Sequence, residues 1–436
     1  MFNNGRLRSK IVVGQGVACR KDNNSRANIS YYQKDIRYCG RNALKRKAVL
    51  LIALIISLAL ALSGFLSDRV KAEEEGEASP INVEELIDNL DLSELDEYLD
   101  GLSEENSEYI GNGAKEYLQL VASGEKNFTA DDVIKIFSSA LKGCLNVLPM
   151  ISSIIAMCII WSLVTGIEWK NDSKTAKNAV NLACLSTMSV IVLKWLTQII
   201  SSVCNYLDEM KSLCDAVIPV LFTLLSASGA HGSTGALSPV AALLSVTLFA
   251  LIKNVVIPVS VAVLVLSIAG SVSDDFPLNS LTEFFGETVN QIMRTGFFVF
   301  SAFMTTQGIF TGIKDKLSLR MGKFALSKYV PIIGGYLSDG FNYVIAGSIV
   351  IKNATGLMTL AIIFIRFIPL LVTLLAASVA LKFACAVCEP LHVSCAVKMI
   401  KKTESCVSLL RAAVIGCTFL LIIFVGIVMT IGSTAV

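Results

Sequence analysis

Histidine is nearly absent from this sequence, with only His231 and His392 among 436 residues. A histidine-rich metal centre is therefore excluded. Also missing are the GxxxxGK phosphate loop, the HExxH zinc helix and the GxSxG nucleophile elbow. Without a phosphate loop, any energy for transport would have to come from a partner, and no enzymatic activity and no cofactor are expected. Charge is scarce as well. Only 17% of residues are charged and 54% are apolar, against about a quarter charged in an ordinary soluble domain. With a mean hydropathy of +0.65, much of the chain must face something other than water.

The few charges are segregated. Residues 1–47 hold 12 Lys/Arg against the acids Asp22 and Asp35, whereas residues 73–132 hold 19 Asp/Glu against Lys115 and Lys126. Opposite blocks either side of one apolar run are what a membrane sorts. Between them Lys45-Arg46-Lys47, the apolar stretch Ala48–Leu66 and Val70-x-Ala72 have the three parts of a secretory signal. It is either cleaved after Ala72 or retained as an anchor, since 19 apolar residues can span. Residues 1–44 are polar and unpatterned, and a start codon placed too far upstream is the plain expectation for them. Four segments follow: a basic extension 1–47, a signal peptide or anchor 48–72, an acidic extracytoplasmic helical segment 73–142 and a multi-span domain 143–436.

Seven of the twelve cysteines (Cys144, Cys158, Cys184, Cys204, Cys385, Cys388, Cys417) lie in or beside apolar runs, where they act as small hydrophobes. Cys385-x-x-Cys388 is the sole CxxC. With no second pair at zinc-site spacing, it reads as helix packing.

The fold class expected is all-α, a polytopic transmembrane bundle. The clear apolar runs are 144–166, 179–201, 254–272, 354–376 and 409–433. Weaker ones are 216–230, 237–252, 296–313 and 330–351. Lysines 170, 174 and 177, the basic stretch Lys314–Lys328, and lysines 398, 401 and 402 all mark cytoplasmic flanks. Parity between the first two flanks then selects about eight spans after the signal. On that choice 216–236 enters the bilayer and returns, with Pro219, Gly229, Gly232 and Gly235 as its broken-helix residues. The alternative is that 216–236 spans and 237–272 forms one hairpin. Residues 273–294 read as an amphipathic helix, lying either on the outer interface or on the bundle.

Charges inside apolar runs are costly and suggest function. Lys194, Asp339 and Arg366 either line a polar pathway or are accommodated locally, with Lys194 snorkelling and Arg366 paired with a carbonyl or with Asp339. Pro331, Gly334, Gly335 and Gly340 suit close helix packing or a pore-side segment.

The motifs Ile218-Pro-Val-Leu-Phe-Thr-Leu-Leu-Ser-Ala-Ser-Gly229, Val330-Pro-Ile-Ile-Gly-Gly-Tyr-Leu-Ser-Asp339, Ile351-Lys-Asn-Ala-Thr-Gly356 and Cys388-Glu-Pro-Leu391 resemble those of the stage III sporulation protein AE family of endospore-forming bacteria. The likeness covers roughly residues 48–434; residues 1–44 depart from it. It implies a membrane subunit of a channel-like secretion complex linking mother cell and forespore and needed for forespore development. It also implies placement in the mother-cell membrane surrounding the forespore. The implied partners are other stage III sporulation membrane proteins of the same operon, including a secretion-type ATPase and ring-forming proteins; no nucleic-acid partner is implied. Two other readings stay open: a stand-alone secondary transporter with Lys194, Asp339 and Arg366 at a midplane site, and a non-conducting scaffold.

Overall fold

The computed structural model describes residues 87–88, 90–101, 113–122, 130–166, 174–272, 279–329, 334–391 and 393–431. The chain divides after Ala78, and the described residues all belong to the second unit. The expected signal, the basic extension, Pro331 and His392 lie outside the described residues.

Among the described residues every regular element is a helix. The acidic segment supplies α1 (Ser93–Asp100), α2 (Ala114–Ala122) and α3 (Ala130–Gly143). A 3-10 turn, Cys144–Val147, leads into α4 (Leu148–Gly166). Then come α5 (Lys174–Ala227), α6 (His231–Leu243) and α7 (Ile257–Val272). After them run α8 (Asn279–Tyr329), α9 (Gly334–Cys388) and α10 (Ser394–Thr430).

Five of these stretches are long and apolar enough to cross a membrane: Leu148–Gly166, Asn178–Ala227, His231–Gly270, Asn342–Leu391 and Ser394–Thr430. The eight expected spans are thus not resolved as eight helices. The runs 237–252 and 254–272 are one continuous helix, because Lys253 does not end it. Two widened π-type turns, Leu244–Leu248 and Ile252–Val256, take up the irregularity instead. The second ends two residues before Pro258, whose ring lacks an N–H and crowds the carbonyl four residues earlier. Likewise 334–351 and 354–376 both belong to α9, since Lys352 and Asn353 are accommodated inside the helix.

At about 1.5 Å per residue, α5 with 54 residues and α9 with 55 are each about 80 Å long, more than twice a hydrocarbon core of about 30 Å. One consequence bears on the basic flanks used to count spans. Lys174 begins α5, whereas the basic stretch around Asp315 lies against the start of α6, just beyond the C-terminal end of α5. The first basic flank thus lies at one end of α5 and the second near its other end. Counting loop charges assigns a side per span of ordinary length, and it has no purchase on a helix this long.

Segment 216–236 is regular except at one turn. Residues 216–227 complete α5 and 231–236 open α6. Gly229 adopts φ 83°, and its N–H bonds Ser226 O at 2.8 Å while Ala230 N–H bonds Leu225 O at 3.1 Å. This is a Schellman C-cap, and its left-handed residue is one that glycine occupies without strain. Pro219 sits inside α5, and Gly235 has open space around it. Gly334, Gly335 and Gly340 form the first turns of α9. In α8, Thr282, Val289 and Met293 are buried while Leu281, Phe284 and Ile292 are exposed.

Candidate functional site

The middle of α5 carries Asp208, Glu209, Lys211 and Asp215 between two apolar stretches. It stays helical because Val203, Leu207, Met210, Cys214, Val217 and Leu221 repeat at three- and four-residue spacing, and all are buried. That inner stripe leaves the charged residues on the flanks, where they meet other helices.

Lys253 Nζ donates to both oxygens of Asp208, at 2.7 and 2.8 Å. Ser245 Oγ donates to Asp215 Oδ1 at 2.6 Å, and Lys211 stands 3.6 Å from the same carboxylate. Arg366 Nη2, from α9, donates to Glu209 Oε1 at 2.7 Å. Tyr206 and Thr418 of α10 share a hydroxyl bond of 2.6 Å. Ten residues of α5 therefore bind three neighbouring stretches through polar contacts, a charged belt across the bundle.

The acidic segment joins at this level. Leu95 of α1 is fully buried, and Tyr98 lies beside Glu209, Arg366 and Cys214. Burial pushes the Tyr98 phenol well above its ordinary range; the Glu209 charge adds to this and Arg366 opposes it. The Tyr98 hydroxyl and Arg366 Nε are both buried without a hydrogen-bond partner. Within the segment itself, Asp96 Oδ1 accepts the Ala114 N–H at 2.8 Å, closing the N-terminus of α2, and Lys115 pairs with Asp88.

Two further helix ends are closed by charges of the complementary sign. Asp315 of α8 accepts the Gly232 and Ser233 N–H groups at 3.0 and 2.8 Å, capping α6. Lys352, fully buried, donates to the Ile431 carbonyl at the C-terminal end of α10. Gly232 is thus a docking position: a Cβ there would stand 2.6 Å from Asp315 Oδ1. Gly232→Ala should push the carboxylate off the α6 N-terminus and cost about 1–2 kcal/mol, the value of a lost cap. A melting curve in detergent that matches Asp315→Asn would confirm it; one that matches wild type would refute it.

The three residues singled out for a pathway do not meet. Arg366 is paired with Glu209. Asp339 lies on the same helix as Arg366, about 40 Å away along its axis, so these two do not pair. Lys194 is exposed on α5, about 20 Å along that helix from Glu209. Glu209, Asp315 and Tyr98 were not evident from the sequence. The signal for Glu209 was its place in an apolar helical repeat rather than in a loop. Nothing local marks Asp315 as a cap for a helix 83 positions away.

Among the described residues no group of three metal-ligating side chains is assembled. The CxxC pair is buried in α9, where the Cys388 and Cys158 thiols are hydrogen-bonded across to α4. Both thiols should therefore stay unlabelled by a thiol-reactive dye in the folded, detergent-solubilised protein. Labelling of either before melting would contradict the α4–α9 contact.

Long apolar helices bound together by internal ion pairs define a polytopic α-helical membrane protein. The description Stage III sporulation protein AE matches residues 113–432, and the chain belongs to that family. It is 23% identical over 348 residues to Stage III sporulation protein AE of Bacillus subtilis (strain 168), an alignment covering 79% of this chain and 86% of that protein. No solved structure matches the chain.

Proposed function

We propose that this chain is a membrane subunit of a channel-like secretion complex linking mother cell and forespore, needed for forespore development. The carrying observation is the family match across residues 113–432, which takes in α2, α3 and the whole bundle. The structure supports a passive part. The belt charges are spent on one another, and the long helices keep exposed apolar side chains such as Val190, Val246, Phe298 and Val379 for lipid and partners. The partners in this reading are other stage III membrane proteins, a secretion-type ATPase that supplies the energy and ring-forming proteins. The membrane is the mother-cell membrane around the forespore, and no catalysis is assigned to this chain.

A non-conducting scaffold is the second reading, and the engagement of Arg366 with Glu209 favours it over a midplane transport site. Deleting the gene should stop sporulation at the engulfed-forespore stage and abolish late forespore gene expression, while affinity-purified protein should bring the other complex members with it. Normal sporulation in the deletion strain, or substrate-driven flux by the isolated chain in vesicles, would overturn the proposal.

A further inference from the structure

The last turns of α8 carry Lys314, Lys316, Arg320, Lys323 and Lys328 against a single acid, Asp315. That acid is turned inward: it is 6% exposed and holds the first N–H groups of α6. This contact fixes the roll of α8 about its axis, so the opposite side is held outward. There Leu317, Met321 and Phe324 are each more than 60% exposed, at positions i, i+4 and i+7 that form one stripe, and Arg320 is exposed beside them. The result is an apolar stripe with basic positions on its flanks and its one acid committed elsewhere.

An apolar stripe flanked by positive charge matches the boundary between acyl chains and acidic headgroups. The apolar side chains enter the acyl side, and Lys and Arg reach the phosphates on long stems. A protein partner would need both an apolar groove and an excess of acid. Lipid already surrounds a bundle of membrane-crossing helices, and α8 is packed along that bundle against α6, α7, α9 and α10. We propose that the outward face of α8 from Lys314 to Lys328 binds anionic phospholipid headgroups.

The test uses the full chain reconstituted into discs of mixed phosphatidylglycerol and phosphatidylcholine, then gently extracted, with retained lipid quantified by mass spectrometry. Wild type should retain phosphatidylglycerol above the supplied ratio, and the excess should shrink with salt. K316Q/R320Q/K323Q should return retention to the supplied ratio. R320E, at an exposed position that leaves the packing alone, should remove part of the excess. K398Q/K402Q, at the start of α10, should remove none of it. The assignment fails if wild type shows no excess, if R320E and the triple variant both behave as wild type, or if K398Q/K402Q loses as much. It also fails if an acidic protein, rather than the lipid, is retained by wild type and lost by R320E.

Discussion

Lys352→Glu should prevent α9 and α10 from seating on each other and leave little folded protein. Lys352 is among the largest fully buried side chains in the bundle, and its ammonium meets the Ile431 carbonyl at the C-terminal end of α10. That end carries the negative pole of a 37-residue helix. A carboxylate there is an uncompensated buried charge facing carbonyl oxygens. Such changes cost roughly 3–5 kcal/mol, a large part of an ordinary folding free energy of about 5–15. Lys352→Met keeps most of the volume and loses the cap, so it should fold with a loss of about 1–3 kcal/mol. Melting followed with a thiol-reactive dye suits this protein, since Cys158, Cys388, Cys406 and Cys417 are buried. Glutamate and methionine variants melting together would remove the electrostatic explanation.

The second large effect is expected at Glu209 and Arg366. Glu209→Arg places two guanidinium groups together, Arg366→Glu two carboxylates, and either should destabilise the bundle by about 2–4 kcal/mol. The pair is only partly buried, at 22% and 36% side-chain exposure, which holds the figure below that of a fully enclosed pair. The double exchange E209R/R366E should recover much of the loss, with a coupling of about 1–3 kcal/mol in the mutant cycle. Additive losses would mean that the two side chains are independent. Tyr98→Phe is the informative control. It deletes a buried hydroxyl that has no partner, so it should be neutral or mildly stabilising. In sporulating cells, a scaffold role predicts that the exchanged pair restores function along with stability.

Much of this was legible beforehand, for physical reasons. Apolar composition and charge segregation disclose a helical membrane protein, and the motifs around Gly229, Lys352 and Cys388 disclose its family. Helix ends were harder to place. Lys253 and the Lys352-Asn353 pair look like loop residues because an unpaired charge would end an apolar helix, yet one is neutralised by Asp208 and Lys352 by a helix terminus. The stretch 202–215 looks like an outer loop because of its four charges, although its apolar repeat runs on unbroken. Pairings across 157 positions, as for Glu209 and Arg366, leave no local trace in a single chain.

The length of α5 has a geometric consequence. The belt holds this rod not far from its midpoint, while its far ends meet different neighbours, α4 at one and the Asp315-capped turn into α6 at the other. The first and last turns of α5 are thus about 80 Å apart along one continuous helix, so no single side chain touches both.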